Sequence, residues 1–392
     1  MQKIKFGISV SLTGIYSAQG RESFEGTSLW VADVNNEGGI FVKEYGRKIP
    51  VELVYFDDGS SVQTCRSNTE RLISKENVNI VLGPYSSSLS LASAEVAQQR
   101  DVTLWNHGGA TDEIEERGFT CLVSAITPAS RYSDGILTLL RRQDPGAERI
   151  AVFGALDSGF SRNIARGARV FGRENGFMVR EFNFASGHMD FSGLLEEAQD
   201  FSPDMILGIG RAHDDLTLAG QIMKRKMRVK AVALVAASIK LFKDKFQRYA
   251  EGFISSSQWE SGIKITPDLG PSPGEFVERF KSAYGKEPDY VAAQGYNIGL
   301  IVKKCIEEAG TIDDKALRDK GQSAEFKTFY GFFRTDHKGS QTGHEMVVVQ
   351  WQSGRKMIVH PEHFSEAGMV YPMSPAYCEA PHNLRTIPPN MK

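Results

Sequence analysis

Residues 80–111, IVLGPYSSSLSLASAEVAQQRDVTLWNHGGAT, place hydroxyls and glycines where they could hold a small hydrogen-bond acceptor. Gly83 and Pro84 end a short apolar run. Ser86, Ser87 and Ser88 follow where a helix begins, because Leu89, Ala92 and Val96 recur at i, i+3 and i+7. A helix start carries unpaired N–H groups and the positive end of the dipole, so hydroxyls beside it suit a carboxylate. A second apolar run, 102–105, leads into Asn106, His107, Gly108, Gly109, Ala110 and Thr111. Open parallel sheets bind ligands at such carboxyl ends of strands. A serine there most often only caps its helix; two loops able to converge on one molecule favour ligand capture.

Other chemistry finds less support. Gly208 and Gly210 end an apolar run, but no third glycine follows at dinucleotide spacing, and no phosphate loop ending in Gly-Lys-Ser/Thr exists. His360 and His363 flank Glu362 in a proline-bearing segment without further ligands, which reads as surface rather than metal site. His107 and Asp157 could be paired with a serine, yet Ser86–Ser88 sit in no Gly-x-Ser-x-Gly elbow. No catalytic residue, metal or cofactor is therefore expected, and the chain reads as a non-enzyme. Cys65 continues an apolar stripe with Thr69, Leu72 and Ile73, and Cys305 falls in another helix; both read as small core residues. Cys121 and Cys378 show no C-x-x-C spacing, and a disulfide involving Cys121 stays open.

These loops need elements to hold them. The 392 residues exceed one typical domain, and 41% hydrophobic residues suffice for two cores. Charges nearly cancel, 46 basic against 48 acidic, which argues against nucleic acid and anionic membrane as partners. No apolar run approaches the roughly 20 residues of a membrane span. Strand and helix signals alternate from 4–10 onward, the pattern of a parallel sheet with crossover helices. Strands are read at 4–10, 50–56, 80–82 and 102–105, and a first helix from about Arg21 to Asn36. The alternation restarts near Pro145, with strands at 149–153 and 179–184 and another ending at Gly208. Two lobes of similar design follow. MQKIKF runs straight into the first strand with no apolar leader segment, so the chain is either cytosolic or shorn of a leader.

Several segments together resemble the leucine/isoleucine/valine-binding and amide-binding family of periplasmic (type I) solute-binding proteins of ABC importers. They are SLTGIYSAQGRESFEGTSLWVADVNNEGGI, GPYSSS, GGAT, SGHMDFSGLL, PDMILGIG, AEGF, EFVERFKSAYGKEPDYVAAQGYNIGLIVKKCIEEAG and FYGFFRTDHKGSQ, in that order. The resemblance spans residues 3–361. It implies an α/β fold of two doubly wound parallel-sheet lobes joined by a three-segment hinge, near 124–128, 255–259 and 334–339. Lobe one would be 1–125 with 258–334, lobe two 126–257 with 335–361, and 362–392 a C-terminal tail that packs across a lobe or frays. It implies a monomer that closes on a small-molecule ligand and delivers it to ABC importer membrane subunits. It also implies a periplasmic or extracytoplasmic location. A cytosolic amide sensor of similar design is the alternative, an enzyme on a similar scaffold a weaker one.

Carried over residue by residue, the resemblance implies ligand contacts from Tyr16, Ser86, Ser87, His107, Gly109, Ala110 and Thr111 in lobe one. From lobe two it implies Phe160, Arg211, His213 and Ala237. Two departures bear on the ligand. Ser158 stands before Gly159 where an aromatic is usual, with Phe160 as substitute. The acid that accepts a ligand ammonium falls in ALVAAS, at Ala236 or Ala237. An ammonium buried without an anionic partner costs several kcal/mol, which points to an amide or aromatic acid unless Asp157 or Asp214 takes over.

Overall fold

The computed structural model describes residues 2–373. Its contacts divide the chain into two units, the chain up to Pro128 with Trp259–Glu345, and Ala129–Gln258 with the chain from Met346. In the first, β1 (Ile4–Val10), β2 (Val51–Asp57), β3 (Ile80–Leu82), β4 (Leu104–Asn106) and β5 (Leu122–Ser124) form a sheet in the order β2-β1-β3-β4-β5. Every pair is parallel. Strands β3 and β4 and the edge strand β5 are buried throughout, as strands covered on both faces must be. The helices Ser17–Asn36 and Tyr290–Ala309 lie together, with the Thr27 hydroxyl donating to the Gly295 carbonyl at 3.0 Å.

The second unit repeats the order with an addition. Its strands are β6 (Arg149–Ala155), β7 (Met178–Phe184), β8 (Met205–Ile209), β9 (Ala231–Leu234), β10 (Ile254–Ser257), β11 (Val347–Gln352) and β12 (Arg355–His360). They run β7-β6-β8-β9-β10 in parallel, followed by β11 and β12 as antiparallel strands. Phe153 stacks on Phe182 with centroids 5.1 Å apart, at the heart of a core that also holds Leu234, Ala237, Phe242 and Trp351. In both sheets the order reverses beside the first strand, and that switch point is where doubly wound sheets open a crevice for ligand.

Residues 335–345, expected in lobe two, belong to the first unit. The Asp336 carboxylate accepts the N–H groups of Lys338 and Ser340 (2.8 and 3.0 Å), shaping a turn whose Gly339 carbonyl accepts the Ser124 N–H at 2.7 Å. The His344 ring nitrogen Nδ1 lies 2.7 Å from the Thr127 hydroxyl. These bonds hold the segment against β5, so the chain changes unit at Glu345/Met346. The described part of the tail packs on the second unit: Met373 N–H donates to Lys230 O (2.7 Å) and the Tyr371 hydroxyl to Asp144 (2.6 Å). Cys65, Cys121 and Cys305 are free and buried, the Cys121 thiol lying 3.3 Å from Asp101 Oδ1, while Cys378 lies outside the described residues.

Candidate functional site

In the first unit the switch point lies between β1 and β3, and the loops after these strands carry Tyr16 and Ser86–Ser88. Ser86 adopts φ 91°, ψ 146°, a backbone conformation that costs a non-glycine residue about 1–3 kcal/mol. It is held there from both sides: its N–H donates to Gly108 O at 3.3 Å, and its hydroxyl accepts the Leu89 N–H at 3.4 Å. Ser87 Oγ accepts the Thr111 N–H at 3.2 Å. Asn106 clamps the second loop, its side chain donating to Gly109 O (2.8 Å) and accepting from Gly109 N (2.9 Å). A Cβ at Gly109 would lie 2.3 Å from that of Ser90, so only glycine lets the loops interlock. Ser86, Ser87, Gly109, Ala110 and Thr111 thus form one assembly.

Tyr16 flanks it, with its ring edge-on to Tyr85 at 6.3 Å between centroids. Burial pushes the Tyr85 hydroxyl up to about 12 despite its hydrogen bond with Tyr290. Tyr85 was not among the expected residues, although an aromatic between Pro84 and Ser86 was its signal. His107 does not join the assembly. It is 1% exposed, its Nε2 lies 2.8 Å from the Ser23 hydroxyl, and burial depresses its pKa to about 4. It is a neutral core histidine.

In the second unit the switch point lies between β6 and β8. Phe160 opens the helix Gly159–Glu174, which Ser158 caps by accepting the Ser161 N–H at 3.3 Å, and its ring stands at 89° to Tyr132 with centroids 5.2 Å apart. Ser158 therefore has a capping role where an aromatic was expected, and Tyr132 is an aromatic the sequence did not flag. Arg211 is exposed at the start of the helix Ala212–Arg225. Half-buried His213 lies with its Nε2 3.2 Å from Met189 Sδ.

Ala237 is 1% exposed within the apolar core, and its carbonyl accepts the Trp351 indole N–H at 2.8 Å. Its side chain is not open to a ligand, unlike those of Arg211 and His213. The two alternative acids are engaged in their own loops. Asp157 Oδ1 accepts the N–H (2.9 Å) and hydroxyl (2.7 Å) of Ser186. Buried Asp214 accepts the N–H groups of Gly187 (2.7 Å) and Arg211 (3.0 Å). The acid that does reach the 235–238 turn is Asp215, which sequence reasoning missed. Burial pushes it up to about 7, against the lowering effect of the Ala236 and Gly210 N–H groups.

Two sheets of order 2-1-3-4-5, with hydroxyl, glycine and aromatic residues at their switch points, define a type I periplasmic binding fold. The chain belongs to the periplasmic binding protein family, whose model matches residues 3–356. That family is one of solute-binding proteins, of the branched-chain amino acid ABC transporter kind. Leu/Ile/Val-binding protein homolog 7 of Brucella abortus is 23% identical, the match covering 92% of each chain. The branched-chain amino acid transporter substrate binding protein LivJ of Streptococcus pneumoniae, solved with isoleucine, is 20% identical with a TM-score of 0.74, over 94% of this chain and 100% of that one. A solute binding protein from R. palustris, solved with benzoate, is 16% identical with a TM-score of 0.73, over 95% and 97%.

Proposed function

We propose that this chain is an extracytoplasmic solute-binding protein that captures a small organic acid or amide lacking an α-amino group and passes it to the membrane subunits of an ABC importer. The observation that carries the reading is the bond between Ser87 and Thr111, which joins two strand-end loops into one acceptor-binding assembly beside a helix start. In the second unit, exposed Arg211 supplies a cation for a carboxylate. Tyr16, Tyr85, Phe160 and Tyr132 offer aromatic edges and faces to a planar ligand. Among the described residues of the second unit, the two acids that could meet an α-ammonium, Asp157 and Asp214, are bound within their own loops. The benzoate complex of the R. palustris relative supports the same ligand class.

Binding rather than chemistry is the work of such a site: ligand selects the state in which the loops of both lobes touch it, and the lobes close. The test is a thermal-shift panel of amino acids, their deaminated analogues, aliphatic amides and aromatic acids on the native protein. Stabilisation confined to members without an α-amino group is expected. Strong stabilisation by a branched-chain amino acid alone would overturn the ligand class.

A further inference from the structure

In the second unit, the loops that follow β8 and β9 are joined by a carboxylate that neither strand carries. The parallel ladder between these strands ends at Gly208 opposite Leu234. Two residues further on in the same register stand Gly210 and Ala236. Asp215, on the helix Ala212–Arg225 and 0% exposed, bridges that pair: Oδ1 accepts the Gly210 N–H at 2.8 Å and Oδ2 the Ala236 N–H at 2.9 Å. The fit is close, since a Cβ at Gly210 would lie 2.9 Å from the same Oδ1 and 2.5 Å from the Cβ of Asp214.

We propose that Asp215 is the positioning residue of this half of the binding site, replacing the sheet hydrogen bonds that stop at Gly208/Leu234 and so fixing the helix start at Arg211–His213 against the 235–238 turn. A carboxyl side chain suits the task because its two oxygens accept from two different segments, Gly210 after β8 and Ala236 after β9. A buried acid so fully occupied is not available to a ligand, so its influence runs through Arg211 and His213. The ligand side of this inference rests on the function proposed above; the loop geometry does not.

Two arms test it separately. In the first, hydrogen exchange of backbone amides is read by NMR on ligand-free protein. Gly210 and Ala236 should be protected like the ladder amides of β8, and Asp215→Asn, which turns an amide NH2 toward one of them, should speed at least one by about tenfold or more while strand amides hold. Native rates typical of open turns, or unchanged rates in the variant, would overturn the proposal; if the variant does not fold, the native rates decide. In the second arm, benzoate and L-leucine are titrated by calorimetry. Affinity for whichever binds should drop about tenfold in Asp215→Asn, and stay unchanged in Ile222→Val, a core variant of the same helix, with all proteins titrated well below their melting temperatures. An equal loss in both variants would make Asp215 merely structural. Failure of both probes on native protein would count against the ligand class, with the exchange arm still deciding the role of Asp215.

Discussion

The backbone N–H of Thr111 donates to Ser87 Oγ at 3.2 Å, tying the turn after β4 to the helix start after β3. A serine hydroxyl has one proton to give and two lone pairs to fill. With a lone pair taken by Thr111, the proton is left to donate, and a ligand carboxylate or carbonyl oxygen is the natural acceptor. The strained backbone of Ser86 and the Asn106 clamp on Gly109 hold that geometry before ligand arrives, which lowers the ordering cost of binding.

Ser87→Ala should therefore weaken ligand binding by about 1.5–3 kcal/mol, the loss of one hydrogen bond to a charged group, and leave the melting temperature close to native. Titration calorimetry on the two proteins checks this. Unchanged affinity would mean the hydroxyl serves only the Thr111 turn.

His107 gives a pH dependence of definite sign. Burial holds its pKa at about 4 against an ordinary 6.5. Between these values the unfolded chain binds a proton that the folded protein refuses. The stability it contributes is complete above pH 6.5 and lost as pH falls toward 4. Measured against His107→Gln by denaturant unfolding, the native protein should lose about 3 kcal/mol of its advantage over that window. A constant gap would contradict a neutral buried imidazole.

Ala237→Glu should destabilise rather than redirect the protein. Its side chain lies in the core with Leu234, Phe242 and Trp351, where an unpaired carboxylate costs several kcal/mol. The expected result is a marked fall in melting temperature with no gain in leucine affinity. A well-folded variant that has acquired leucine binding would show that position 237 reaches the ligand after all.

Closure on ligand predicts a smaller radius of gyration by small-angle scattering in saturating ligand than without it. An identical radius, with binding confirmed in the same sample, would indicate a pocket that forms without movement.

The sequence carried the strand-end loops plainly, because buried parallel strands read as apolar runs and stop at glycine, proline and serine. β1 and β3 fall where those runs predict, at Ile4–Val10 and Ile80–Leu82. The first helix instead begins at Ser17, ahead of the stripe that starts near Arg21, since a turn closed by Ser17 N–H on Gly14 O needs no apolar face. The hairpin Ile40–Val42 with Arg47–Ile49 escaped notice for the same reason: three-residue strands carry no period. Residue type also could not tell which loop polar groups turn inward. His107 and Thr111 sit in one six-residue stretch, yet one is sealed against Ser23 and the other meets Ser87. Asp215 was invisible because its partners are backbone N–H groups just past the ends of two strands, brought together only by the sheet.

The proposed site grips a carboxylate or amide and disfavours an α-ammonium. The most direct measurement is titration calorimetry of native protein with L-leucine and with 4-methylpentanoate, the same molecule without its amino group. The deaminated acid should bind at least about tenfold tighter, since leucine must bury an unpaired ammonium. Leucine binding tighter than 4-methylpentanoate would contradict it.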